Sequence, residues 1–211
     1  MKKVILATAL LVSGSVLAAG LPTVTKPMNP GYLGWYAGVG ILGSAQWGTS
    51  GYAGTDRRDS GDVYKQDSNP WGFTLVLGNR FAPNFGADLN FSYLSTMKYK
   101  NKDDTSKKVE LKDNYYAFGD GYLFYPIFDQ FDLFAKGGVG YIHQAEQPKG
   151  FTDNSQGKLN TFAVNYGAGI GWRYNSFGAR VDYTQYKPTQ AVDSRFDILD
   201  TVGLTLTYTW G

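Results

Sequence analysis

From Thr201 to Trp210 apolar and polar residues alternate without a break. Val202, Leu204, Leu206, Tyr208 and Trp210 share one side; Thr201, Gly203, Thr205, Thr207 and Thr209 share the other. Side chains along a strand repeat every second residue, so this segment reads as a strand with one apolar and one small polar face. The pattern recurs along the chain. Trp35, Ala37, Val39 and Ile41 alternate with Tyr36, Gly38, Gly40 and Leu42. Further apolar sets are Trp71, Phe73, Leu75 and Leu77, then Phe85, Ala87, Leu89, Phe91 and Tyr93. Phe131, Leu133, Ala135, Val139 and Tyr141 follow, then Phe162, Val164, Tyr166, Ala168, Ile170 and Trp172, then Phe177, Ala179, Val181 and Tyr183. A segment from Tyr115 to Tyr125 is the least regular, because aromatics fall on both of its faces. A repeated apolar face with aromatics at the segment ends predicts an all-β fold: an eight-stranded antiparallel up-and-down transmembrane barrel with its apolar side toward lipid.

The connections alternate in length. Short turns are expected at Ala82-Pro83-Asn84, from Pro126 to Gln130, and at Asn175-Ser176. Long polar loops are expected from Ser44 to Asn69, Met97 to Lys112, His143 to Leu159 and Tyr186 to Leu199. In a barrel of this kind the turns and both termini are periplasmic and the four long loops extracellular. Trp35, Tyr125, Phe131, Trp172, Phe177, Tyr208 and Trp210 then gather at the turn end, where an interfacial girdle belongs.

The N-terminus sets the compartment. Met1-Lys2-Lys3, an apolar run from Val4 to Leu11 and the small residues before Ala19 describe a secretory signal peptide over residues 1–18. Cleavage after Ala19 fits nearly as well as after Ala18. The apolar run is too short for a spanning anchor. Residues 19–31 read as a periplasmic lead-in and 32–211 as the barrel. Removing the signal takes two lysines and leaves basic and acidic residues in equal number, which argues against nucleic acid as a partner. The 27 glycines suit a crowded barrel interior. There are no cysteines, hence no disulfides and no lipoprotein anchor.

Charges within the strands carry the next inference. Arg80, Asp88, Asp120, Lys136, Arg173, Arg180 and Asp182 all have inward parity. A basic residue on the lipid face at mid-depth costs about 2–4 kcal/mol, so parity and energy agree. An eight-stranded interior is just wide enough to fill with side chains, and charges there must pair or meet water. Centring the Pro126–Gln130 hairpin on Phe128 pairs Tyr125 with Phe131 and Asp120 with Lys136. The Asn175-Ser176 turn sets Gly171 opposite Arg180 and Gly169 opposite Asp182. Asp88 falls opposite Gly78 and is placed to receive the Arg180 guanidinium. These charges form either a structural plug or an ion path whose partners exchange.

At these residues the chain resembles the OmpA-type and opacity-type small outer-membrane barrels. The resemblance runs through Trp35-Tyr36-Ala37-Gly38-Val39-Gly40, Gly86-Ala87-Asp88-Leu89-Asn90-Phe91 and Tyr125-Pro126-Ile127. It continues through Phe131-Asp132-Leu133-Phe134-Ala135-Lys136, Ala179-Arg180-Val181-Asp182-Tyr183 and Tyr208-Thr209-Trp210-Gly211. It implies an inward acid on the third strand, an inward base on the fifth and an inward Arg on the seventh, positions held here by Asp88, Lys136 and Arg180. Tyr122 and Gly171 stand where the OmpA pattern has an inward Lys and an inward Glu, so its gating network is incomplete. With no peptidoglycan-binding domain after Gly211, the expectation is the opacity, adhesin or surface-antigen branch.

Catalysis finds little support. His143 is the sole histidine, and Ala145 occupies the place of the serine in the His-x-Ser pair of lipid A deacylase barrels. Asp56, Asp59, Asp62 and Asp67 have no paired His and fail the calcium-loop pattern. Neither a metal nor a cofactor is expected. The second loop carries Lys98, Lys100, Lys102, Lys107, Lys108 and Lys112 against Asp103, Asp104 and Glu110. These lysines are either solvated loop charge or contacts to lipopolysaccharide phosphates, with a host-surface ligand as a further partner. Trp47, Tyr52 and Tyr64 in the first loop form a contact patch or a loop mini-core. The expected protein is a monomeric, non-enzymatic surface protein of the bacterial outer membrane, serving envelope integrity, adhesion or antigenicity. The competing expectation is a small ion or hydrophobic-solute channel.

Overall fold

The computed structural model describes residues 33–44, 64–66, 68–101, 106, 108–149, 157–189 and 199–210. The signal peptide, the lead-in, Trp47, Tyr52, the four loop aspartates, Lys102 and Lys107 lie outside the described residues. Eight long strands form the barrel: β1 (Gly34–Ser44), β3 (Trp71–Ala82), β4 (Phe85–Leu94), β6 (Lys108–Phe128), β7 (Phe131–Lys149), β8 (Gly157–Tyr174), β9 (Phe177–Pro188) and β10 (Leu199–Trp210). Each pairs antiparallel with its neighbours, and β1 against β10 closes the cylinder. Closure removes the sheet edges that lipid could not hydrogen-bond.

The register gives the barrel its dimensions. One row of paired residues runs Trp210, Trp35, Asn79, Ala87, Gly121, Gly137, Tyr166, Gln185 and back to β10 at Asp200. One circuit therefore climbs ten residues along β10. With eight strands this tilts them by about 40° and sets a backbone radius of about 8 Å. The apolar side faces out as the alternation requires: Val39, Ile41, Leu89, Leu204 and Leu206 are all exposed on the wall. Trp35, Tyr125, Phe177, Tyr208 and Trp210 ring the turn end; Trp71, Tyr115, Tyr141 and Phe162 ring the other. Along tilted strands these belts stand about 25 Å apart, the height of an outer-membrane apolar band.

Two expectations are corrected. The hairpin between β6 and β7 turns on Asp129-Gln130, with Phe128 opposite Phe131 and a register shift between Pro126 and Phe128. Tyr125 therefore pairs with Leu133, and Asp120 with Gly138, rather than with Phe131 and Lys136. Proline has no N–H to give to the ladder, so Pro126 is where the pairing slips. The second and third long loops are also shorter than expected. β6 begins at Lys108, β7 runs to Lys149 and β8 starts at Gly157. The short strands β2 (Tyr64–Gln66) and β5 (Met97–Asn101) add to this extension in the order β2, β5, β6, and the paired strands form a wall above the barrel mouth. Polar, lysine-rich alternation reads like loop in a sequence, but it also describes a strand with a solvated face.

Candidate functional site

The lumen is stratified. At the periplasmic end Asp132 accepts two bonds from Arg80, 3.1 Å from Nη1 and 3.3 Å from Nη2. The same carboxylate accepts from Arg173 Nη2. Arg80 also donates to the Pro83 carbonyl, and its guanidinium lies 4.0 Å from the Phe124 ring centroid. A forked guanidinium matching a carboxylate is the strongest pairing available to a buried charge.

One layer further in, Arg180 Nη1 stands 3.5 Å from Asp88 Oδ2, which also accepts from the Tyr36 hydroxyl at 3.0 Å. The guanidinium is flanked by Tyr36 at 4.8 Å and Tyr122 at 5.2 Å from the ring centroids. Gly171 opposite Arg180 and Gly78 opposite Asp88 leave room for this layer. A Cβ at Gly78 would come within 2.5 Å of both Asp88 Cβ and the Tyr36 hydroxyl.

Above it, Lys136 Nζ lies 2.7 Å from Asp182 Oδ2 and 3.9 Å from Asp120 Oδ2. Asp120 is further held by Asn90 at 2.7 Å and Asn165 at 2.8 Å, and Asp182 by Thr184 at 2.7 Å. The slipped hairpin thus still sets Asp120 and Lys136 on one face. They meet across a diagonal rather than directly, and Lys136 lies closer to Asp182.

Beyond the charges an apolar layer fills the extracellular mouth: Leu42, Leu94, Tyr116, Phe118, Ile142 and Tyr186 are packed together and buried. The irregular aromatics of β6 belong to this layer and to the Tyr122, Phe124 and Phe134 cluster lower down. Among the described residues the lumen holds small cavities. One of about 40 Å³ is lined by Lys136, Asp182, Tyr122 and Tyr186. One of about 30 Å³ is lined by Tyr36, Arg80, Asp132 and Arg173. Arg180 borders both. Each has room for a few water molecules and for nothing larger.

All seven expected interior charges face the lumen, and among the described residues Asp132 is a further interior charge, buried beside Arg80 and Arg173. Its signal was available: it has the same parity on β7 as Lys136. Of the loop lysines, Lys98 and Lys100 lie on β5, and Lys108 and Lys112 on β6. Lys112 Nζ is 3.7 Å from Glu110 Oε2. His143 is within β7, not a loop, where its Nδ1 meets Asn160 Oδ1 and its ring packs on Tyr115. Among the described residues no group of three or more His, Asp or Glu side chains could hold a metal ion.

A family model described as outer membrane protein beta-barrel domain matches residues 4–210. Solved structures of the same shape include Ail of Yersinia pestis, the attachment invasion locus protein, in complex with the heparin analogue sucrose octasulfate. It is 16% identical, with a TM-score of 0.51 over 84% of this chain and 99% of that one. Neisserial surface protein A is 7% identical, with a TM-score of 0.54 over 83% of this chain and 97% of that one. OprG of Pseudomonas aeruginosa is 12% identical, with a TM-score of 0.51 over 84% of this chain and 96% of that one. At these identities the likeness shows the fold alone. No curated protein sequence matches the chain.

Proposed function

Because this chain belongs to the outer-membrane β-barrel family and so resides in the bacterial outer membrane, we propose that it is a non-enzymatic surface protein whose extracellular elements make contacts from a closed, charge-plugged scaffold. The observation that carries this reading is the filled lumen. Three layers of paired charges lie beneath an apolar seal, and the cavities between them are water-sized. A rigid scaffold of that kind has its working surface outside, where the wall and loops project. Envelope integrity and adhesion both fit such a surface. Ail, a barrel of the same shape, is in complex with a heparin analogue, which supports an anionic partner without defining one for this chain.

The test is to replace residues 98–110 with an Asn-Gly turn, which removes most of the wall and keeps β6 from Leu111 onward. Heat-modifiable migration on a gel reports barrel folding. The expected result is a folded barrel that no longer supports resistance of the cell to bile salts or attachment to a coated surface. Retention of both properties would overturn the reading.

A small channel is the second reading. The observation in its favour is that Arg180 borders both cavities, so an exchange of its partner would reshape both.

A further inference from the structure

The wall above the barrel mouth is rich in lysine on one side. The register pairs Lys100 of β5 directly with Lys108 of β6, so described lysines stand side by side across the two strands. Two residues nearer the barrel, on the same side, come Lys98 and Glu110, then Lys112.

The side is fixed by β7, which pairs with β8 from Phe131 to Glu146 without a register shift. Its lipid-facing positions Leu133, Ala135, Val139 and Tyr141 therefore continue upward through Ala145 and position 147 to position 149, opposite Lys108. Met97 and Leu111 point the other way and are buried, each 1% exposed. The lysine side is thus the outer surface of the wall, continuous with the surface that meets lipid. Along tilted strands the row and its neighbours stand roughly 5–20 Å above the upper aromatic belt. That is the height of the phosphorylated headgroup and inner sugars of the outer leaflet, not of a loop tip reaching into the medium.

We propose that this lysine row is a docking surface for the phosphate groups of lipopolysaccharide in the surrounding leaflet, with Lys100 and Lys108 at its centre. Charge, height and continuity with the lipid-facing wall favour that occupant over a soluble glycan. This deepens the reading of the wall as the working surface and rests on it. An ammonium row meeting several phosphates gains from each, and the gain is screened by salt.

The test uses the full-length mature barrel in phosphatidylcholine vesicles. Affinity is measured for purified lipopolysaccharide, for the same material chemically dephosphorylated, and for heparin, at low and high salt. Wild type is compared with Lys100→Gln/Lys108→Gln and with Lys100→Arg/Lys108→Arg. The expected result is about tenfold weaker binding of intact lipopolysaccharide by the Gln pair at low salt, near-wild-type binding by the Arg pair, and no difference with dephosphorylated material. Heat-modifiable migration and the unfolding midpoint of both variants are measured beside wild type, so that lost contact is read apart from lost fold. Equal affinity of wild type and the Gln pair overturns the proposal, as does heparin binding tighter than lipopolysaccharide. Conductance through the barrel would instead overturn the closed-scaffold reading and leave the lysine row untouched.

Discussion

Arg180 Nη1 lies 3.5 Å from Asp88 Oδ2, and the residue that makes this contact lines both lumen cavities. The pair comes from strands β4 and β9, which are not neighbours, so it crosses the barrel interior. Tyr36 and Tyr122 hold the guanidinium on its flanks. The barrel is therefore braced from within as well as hydrogen-bonded around its wall.

Asp132 is the most exacting position in the lumen. It faces two guanidinium groups and is 3% exposed. Asp132→Asn removes a buried carboxylate that pairs with both Arg80 and Arg173. Breaking a buried ionic group in this way should lower stability by about 3–5 kcal/mol, read as a fall in the urea midpoint of refolding into vesicles. Arg80→Met/Asp132→Leu should recover part of that loss. An unchanged midpoint for Asp132→Asn would mean the pairing contributes nothing.

Asn114 decides whether the wall stands. Its side chain is fully buried and its amide reaches the carbonyls of Leu94, Ser95 and Leu111 at 3.2–3.3 Å. It sits in the register shift of β6 beside Asp113, whose φ is 52°. Asn114→Ala leaves those carbonyls short of a donor and should cost about 1–3 kcal/mol, concentrated in the wall. Limited proteolysis on intact cells should then cut between residues 97 and 112 faster than in wild type, while the barrel stays folded.

Depth along the lipid-facing side of β10 predicts different outcomes for the same substitution. Leu204 faces lipid near mid-depth and is 41% exposed on the wall, whereas Thr205 is turned inward and 6% exposed. Leu204→Arg should cost about 2–4 kcal/mol in vesicle refolding. Trp210→Arg, at the periplasmic belt, should cost about 1 kcal/mol or less. Equal losses at the two positions would mean that β10 does not cross the bilayer as described.

The wall of the barrel was legible because lipid enforces alternation: at Val202, Leu204 and Leu206 the solvent leaves no choice of face. The same rule made Arg80 and Asp182 readable as interior. What the sequence hid was register and range. The Asp129-Gln130 turn and the one-residue slip at Pro126 together move Asp120 two residues relative to Lys136, and because the net offset preserves parity nothing in the alternation marks it. The β5–β6 wall was hidden because, outside the bilayer, Lys-rich alternation has no lipid to decide between strand and loop. Asp132 escaped although its parity was visible. The seal built from Leu42, Tyr116, Phe118 and Tyr186 was not readable, since it needs residues from separate strands brought to one height.

The most direct measurement is single-channel recording of the purified mature protein in planar bilayers, wild type beside Arg180→Ala, with folding checked by heat-modifiable migration. Arg180→Ala opens space where the two cavities share a lining residue, but the apolar layer at the extracellular mouth still closes the path. Silence from both proteins is the expected result. Discrete openings in wild type whose size or frequency changes in Arg180→Ala would contradict the plug and make the interior charges a gate.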